Sequence, residues 1–381
     1  MSPSRRTMVG GLSALALSAC GRQGSSDATA AAWRSARPLK DVASFPIGTC
    51  LMTPELQNPA FIDLMLRNFS QITPEFEMKM ERTLADDGSY RFDASDSIAD
   101  FCRRNGLRMH ATTLIWYAQK PPAFERLQDD RAAFEQKLRD YTSAVMGRYR
   151  GQARGWDVLN EAVAEDGSGY RGGIWQAALG DDYGRLAFEM AHQADPDSLL
   201  FLNDYNLEIM PAKLDSFQRL LEGLLRAGAP VTGIGTQTHL NADLQPGQAG
   251  RAIQALARFG LPIHVSELDI STRQGALSFQ DETTRFQAQA RVAGEVAEAF
   301  MALPESQRYA FTTWGVRDKD SWLCKPPNAG DGSDRPLLFD NEGEPKPALN
   351  AVEAAFMGAQ PDIRPQARPQ TRPRATPEDR Y

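Results

Sequence analysis

Between residues 45 and 355, eight short apolar runs alternate with longer amphipathic stretches. The runs at 45–51, 69–73, 107–116, 154–160, 198–203, 232–238, 262–267 and 309–314 predict strands. The stretches between them, for example 130–149, 214–227 and 281–301, predict helices. Eight strand–helix units over about 310 residues predict a single closed (β/α)8 barrel. An open, doubly wound sheet is the alternative. No internal repeat is evident.

Two of the runs end in a carboxylate. Trp156-Asp157-Val158-Leu159-Asn160-Glu161-Ala162 reads as a buried strand that stops at an amide and an acid, and a polar, glycine-rich stretch follows over 165–173. In a barrel, such a strand end is where a site is built, although a glutamate at an exposed strand end has the same look. Leu261-Pro262-Ile263-His264-Val265-Ser266-Glu267-Leu268-Asp269 is a second apolar run reaching a carboxylate, about a hundred residues on. Hydrolysis of a glycosidic bond needs two carboxyl groups, one to protonate the leaving oxygen and one to attack the anomeric carbon or activate water. Spacing in sequence does not bring the two together. A barrel with Glu161 on its fourth strand and Glu267 on its seventh does.

Seven motifs then carry a resemblance. ITPEFEMKME from Ile72, TLIWYAQKPP from Thr113, WDVLNEA from Trp156, LNDYNLE from Leu202, GIGTQTHL from Gly233, HVSELDI from His264 and TTWGVRDKDSW from Thr312 stand in this order over residues 40–356. Together they resemble glycoside hydrolase family 10, the (β/α)8 endo-β-1,4-xylanases. The resemblance implies that Glu161 is the acid/base and Glu267 the nucleophile of a retaining double displacement, with the carboxyls about 5–5.5 Å apart. An ionised Glu267 would disfavour a second negative charge beside it and leave Glu161 protonated to act as acid. Asn160 matches the residue that hydrogen-bonds the sugar 2-hydroxyl. Gln237 and His239, two positions apart and so on one face of a strand, match residues beside the nucleophile, with Asp269 and His239 holding Glu267. Trp314 and Trp322 match aromatics that cap the sugar, Trp116 a tryptophan beside the site, and Glu75 and Lys79 polar contacts to the glycone sugars. Tyr205 and Asn203 match the aglycone side and the end of the fifth strand. His110, His192 and His264 match no site residue and read as structural.

Three positions depart from the family pattern. The family usually has Asn at Phe76, His at Thr112 and His at Tyr117, all on the glycone side. Phe76 either narrows a glycone subsite or turns into the core, and Thr112 leaves space over the first glycone sugar. The reaction class is therefore better determined than the glycan. Three functions stand: a retaining endo-β-1,4-xylanase; a related glycosidase with altered glycone subsites acting on short oligosaccharides or another β-glycan; and a non-catalytic glycan-binding lipoprotein, which needs neither glutamate.

Composition excludes other classes. Of the 381 residues, 42% are hydrophobic and 24% charged, and the net charge of -7 argues against nucleic acid as partner. There is no phosphate loop, dinucleotide fingerprint or metal-binding spacing, so no cofactor and no metal is expected. The expected partner is β-1,4-xylan or a related plant polysaccharide or oligosaccharide, met by a monomer.

The ends read as segments outside the fold. Ser4-Arg5-Arg6-Thr7-Met8 resembles a twin-arginine export signal, and the apolar stretch after it is too short to span a bilayer. Leu17-Ser18-Ala19-Cys20 resembles a lipobox, with Cys20 acylated; a plain signal peptide cut after an alanine is the alternative. Residues 1–20 are thus expected to be a lipoprotein signal, 21–35 a flexible tether, 36–357 the catalytic domain and 358–381 a disordered tail with a proline every fourth residue. The expected location is periplasmic, outer-membrane or cell-surface, with the membrane contacted only through the lipid. Cys50, Cys102 and Cys324 then remain, giving no disulfide framework; Cys50 in a strand and Cys102 in a helix read as buried thiols.

Overall fold

The computed structural model describes residues 37–358, apart from 276, 278 and 279. The expected signal, with Cys20, the tether and the tail beyond Gly358 lie outside the described residues. The strands are β1 (Ile47–Leu51), β2 (Gln71–Pro74), β3 (Arg108–Trp116), β4 (Ala153–Asn160), β5 (Leu199–Asp204), β6 (Gly233–Thr236), β7 (His239–Asn241), β8 (Ile263–Ser271) and β9 (Arg308–Thr313). All pair in parallel, β1 through β6 in sequence order and β1 with β9 and β9 with β8. Pairing of β6 with β8 closes an eight-stranded barrel, with β7 outside the ring of eight.

Each expected run becomes a barrel strand, because parallel strands covered on both faces need near-continuous apolar sequence. β1 and β8 are buried at every residue. Between the strands, Asp130 caps the helix Arg131–Arg148 by accepting from the Ala133 N–H at 3.0 Å, and Asp281 caps Glu282–Met301 through the Thr284 N–H at 3.0 Å.

The sixth and seventh runs depart from expectation. The sixth was expected to continue to residue 238 but ends at Thr236, because Thr238 takes a left-handed φ of 57°. The chain then re-enters strand conformation as β7, whose His239 lies in register with Asp269 of β8. That extra partner carries β8 four residues past Glu267, where the apolar pattern alone had stopped.

Polar side chains are buried inside the barrel, and each of the two histidines among them has a partner. His110, fully buried, stands 3.0 Å from Asp157 Oδ1 and 3.1 Å from the Tyr309 hydroxyl, and His264 stands 2.7 Å from Thr312 Oγ1. Both are core histidines, whereas His192 is exposed on the helix Tyr183–Ala194. Cys50 and Cys102 are buried free thiols and Cys324 is a half-buried one. Among the described residues no helix is long and apolar enough to cross a membrane.

Candidate active site

Strand register assembles the site. Trp116, Asn160, Asn203 and Gly235 are successive partners across β3, β4, β5 and β6, so they form one row at the C-terminal rim of the barrel. In parallel strands neighbours in register bring their side chains to the same depth, and a row of amides here can connect groups from several strands.

Asn203 is the centre of that connection. Its Nδ2 donates to Asn160 Oδ1 at 2.9 Å and to Glu267 Oε1 at 3.0 Å, and its Oδ1 accepts from Ser266 Oγ at 2.8 Å. Gln237 Nε2 donates to the same Asn160 oxygen at 3.3 Å and to Glu161 Oε1 at 3.1 Å. Asn160 Nδ2 faces Glu161 Oε1 at 3.4 Å. The two glutamates are thus joined through three amides. Asn203 fits because residue 235 is glycine: a Cβ there would stand 2.1 Å from Asn203 Oδ1.

Glu161 follows β4 with a φ of 54°, a left-handed conformation that a residue with a Cβ rarely adopts. Both of its backbone groups are held. Its N–H donates to the Asn203 carbonyl at 2.8 Å, and its carbonyl accepts from Arg171 Nε at 3.0 Å. This turn ends the strand and offers the half-buried carboxyl to a cleft of about 320 Å³. Glu267, Lys79, Trp116, Tyr205, Gln237, His239, Trp314 and Trp322 line the same cleft.

Glu267 is 7% exposed, and burial pushes its carboxyl above the ordinary range, against the pull of His239. His239 Nε2 stands 3.5 Å from Glu267 Oε2 and its Nδ1 3.0 Å from Asp269 Oδ2. The second contact is an ion pair without hydrogen-bond alignment. Burial lowers the imidazole pKa, but the carboxylates of Asp269 and Glu267 outweigh it and carry His239 up to about 10. The two acids thus favour the protonated form of the imidazole that lies between them. Asp269 Oδ2 also accepts from Trp322 Nε1 at 2.8 Å, which fixes that ring 5.4 Å from His239.

The remaining expected residues divide. Lys79 lies over the Trp116 ring at 4.7 Å. Asn160 and Asp269 sit just beneath the cleft, through the contacts given above. Glu75 is half-buried beside Cys50, whose Sγ is 3.3 Å from its Oε2, and it is not among the residues lining the cleft. Gln237 and His239 do share the cleft, but not by strand alternation, since left-handed Thr238 separates them.

Phe76 does not turn into the core: it is 36% exposed and lines a second cavity. Thr112 is buried within β3 and does not line the catalytic cleft, whereas Tyr117 does. One residue escaped the sequence reading. Arg171 stacks on the Tyr117 ring at 4.2 Å and donates to Glu165 at 2.7 Å and the Tyr205 hydroxyl at 3.0 Å, besides holding the Glu161 carbonyl. It stands in the glycine-rich stretch after Glu161, where nothing but its charge marked it out.

The sequence profile of Glycosyl hydrolase family 10 matches residues 39–355. The chain belongs to glycosyl hydrolase family 10. This family 10 barrel is 34% identical over 308 residues to Endo-1,4-beta-xylanase 2 of Claviceps purpurea, covering 81% of this chain and 86% of that one. It is 35% identical to Endo-1,4-beta-xylanase B of Paenibacillus barcinonensis, covering 80% and 93%. Among solved structures, the family 10 fold here superposes on xylanase 10B of Thermotoga petrophila RKU-1 in complex with xylobiose with a TM-score of 0.76 at 28% identity, covering 84% of this chain and 97% of the other.

Proposed function

We propose that the protein is a retaining endo-β-1,4-xylanase in which Glu161 is the acid/base and Glu267 the nucleophile. The observation that carries this is the amide bridge through Asn203, Asn160 and Gln237, which holds two strand-end carboxyls in one cleft. The family and the names of its relatives supply the bond class.

Each group has a task its surroundings suit. Glu161 protonates the glycosidic oxygen as the leaving sugar departs, while a Glu267 oxygen attacks the anomeric carbon and forms a covalent glycosyl-enzyme. Imidazolium His239, itself paired with Asp269, stabilises the Glu267 carboxylate before attack. Glu161, now a carboxylate, takes a proton from water, whose oxygen displaces Glu267 from the sugar. Asn160 is positioned to hydrogen-bond the 2-hydroxyl. Lys79 lies on the glycone side with Trp314 and Trp322 capping the sugar, and Tyr205 lies on the aglycone side. Retention is tested by proton NMR of the first-formed product: a β-anomer is expected, and an initial α-anomer excludes double displacement.

The exposed ring at Phe76 and the phenol at Tyr117, where the family usually has Asn and His, favour a second reading: the same chemistry on short oligosaccharides or another β-glycan. A reducing-end assay on a panel of β-glycans with products resolved by length separates the two, and no release on any of them leaves a binding protein. We further propose export through Arg5 and Arg6 and membrane retention through acylated Cys20. Cys20→Ala is expected to move the protein from the membrane to the soluble fraction of a bacterial host, and continued sedimentation with membranes would rule out the lipobox.

A further inference from the structure

Phe76 lies between two cavities. Lys79, which lines the catalytic cleft, has its Nζ 5.4 Å from the centroid of the Phe76 ring. Phe76 itself lines a neighbouring cavity of about 380 Å³, with Arg82, Arg91 and Asp93 on its walls. A phenyl ring at this position offers no hydrogen bond to a sugar hydroxyl. What it does offer is a flat surface for a cation. The Arg82 guanidinium lies over the ring at 4.3 Å, and among the described residues it makes no ion pair. A guanidinium stacked in this way loses rotational freedom but keeps its N–H donors, which are spaced to chelate a carboxylate.

The charges around the cavity leave that capacity unspent. Glu77 is buried, and its carboxylate is occupied by the Thr53 N–H at 2.6 Å, the Thr53 hydroxyl at 2.5 Å and the Phe76 N–H at 3.3 Å. Arg91 Nη2 donates to the carbonyls of Glu81 and Leu84 at 3.0 and 3.2 Å. Asp93, at the start of the helix Asp93–Arg104, is the one acid of the wall not engaged in this way, against the cations Arg82 and Arg91.

We propose that Phe76 and Arg82 form a binding platform for an acidic sugar branch, a uronic acid carried by the glycan whose backbone occupies the adjoining cleft. It rests on the xylan reading for the backbone. The substitution of an aromatic ring for the family's usual amide exchanges one neutral hydroxyl contact for recognition of a negative charge. Specificity moves from the chain of the polysaccharide to its decoration.

The test uses the full-length protein and two matched xylo-oligosaccharides, each with one branch on the glycone side: glucuronic acid in one, its methyl ester in the other. Shape is nearly the same and only the charge differs. For the wild type at low salt, kcat/KM is expected to favour the acid about fivefold, and the ratio should fall toward one at about 0.5 M salt. Arg82→Gln and Phe76→Leu should each bring the ratio to about one at low salt, the first by removing the cation and the second by removing the surface that orients it. A wild-type ratio near one, or a ratio that Arg82→Gln does not move, overturns the platform. If the wild type cleaves neither oligosaccharide, the xylan reading fails by itself. Calorimetric binding of the same pair then decides the platform: tighter binding of the acid, lost in Arg82→Gln, supports it, and equal binding overturns it.

Discussion

Replacing Glu267 with alanine is expected to lower turnover on xylan by at least about 10⁴-fold, because the proposed nucleophile is gone. The rest of the site keeps its supports. Asn203 retains its bonds to Asn160 and Ser266, and His239 retains Asp269, so the variant should remain folded with its melting temperature close to wild type. A small anion fills the vacated space in the decisive experiment. With azide and an activated aryl xyloside, the expected product is the α-glycosyl azide, formed by a single displacement on the face that Glu267 had occupied. Undiminished hydrolysis of xylan by this variant would remove Glu267 from the nucleophile role.

Glu161→Ala separates proton transfer from nucleophilic attack. On xylan, whose leaving group is a sugar alkoxide, the loss of the acid is expected to cost about 10²–10⁴-fold. On an aryl xyloside with an acidic phenol as leaving group, the first step needs no proton and should proceed near the wild-type rate, with a burst of phenol followed by slow release of sugar. Azide should accelerate that second step, and here the product should be the β-glycosyl azide. Opposite anomers from the two variants would assign the two carboxyls to opposite faces of the sugar. Equal losses on both substrate types would mean that Glu161 does not supply the proton.

Much of this site is legible in the sequence because it is built from strands. A barrel strand must be apolar nearly throughout, so Asn160, Glu161 and Glu267 stand out where such runs end, whereas Asn203 and Asp269 were marked only by the resemblance to family 10. What the sequence hides arises between strands. Nothing local tells that Thr238 turns left-handed, that β7 then pairs with the outer half of β8, or that Gln237 and His239 reach one cleft from either side of that turn. Arg171 is hidden for a similar reason. Its importance lies in the carbonyl of Glu161 and the ring of Tyr117, contacts set by the path of a loop rather than by any period of residues. Phe76 shows the limit from the other side: an apolar residue in a strand-rich motif reads equally as core or surface, and only its neighbours Lys79 and Arg82 decide.

The glycine at 235 reaches further than its size suggests. It touches no reacting group, yet the methyl group it lacks is the space occupied by the Asn203 amide. A lineage or a mutagenesis library exploring new glycans can alter Phe76 or Arg82 one at a time without touching the amides that join the two carboxyls. It has no such freedom at 235, where even alanine would evict the link between the two carboxyls while leaving every residue around the sugar unchanged. The evolvable part of this enzyme is the outer wall beside its cleft, and the fixed part includes a position that a map of substrate contacts would leave blank.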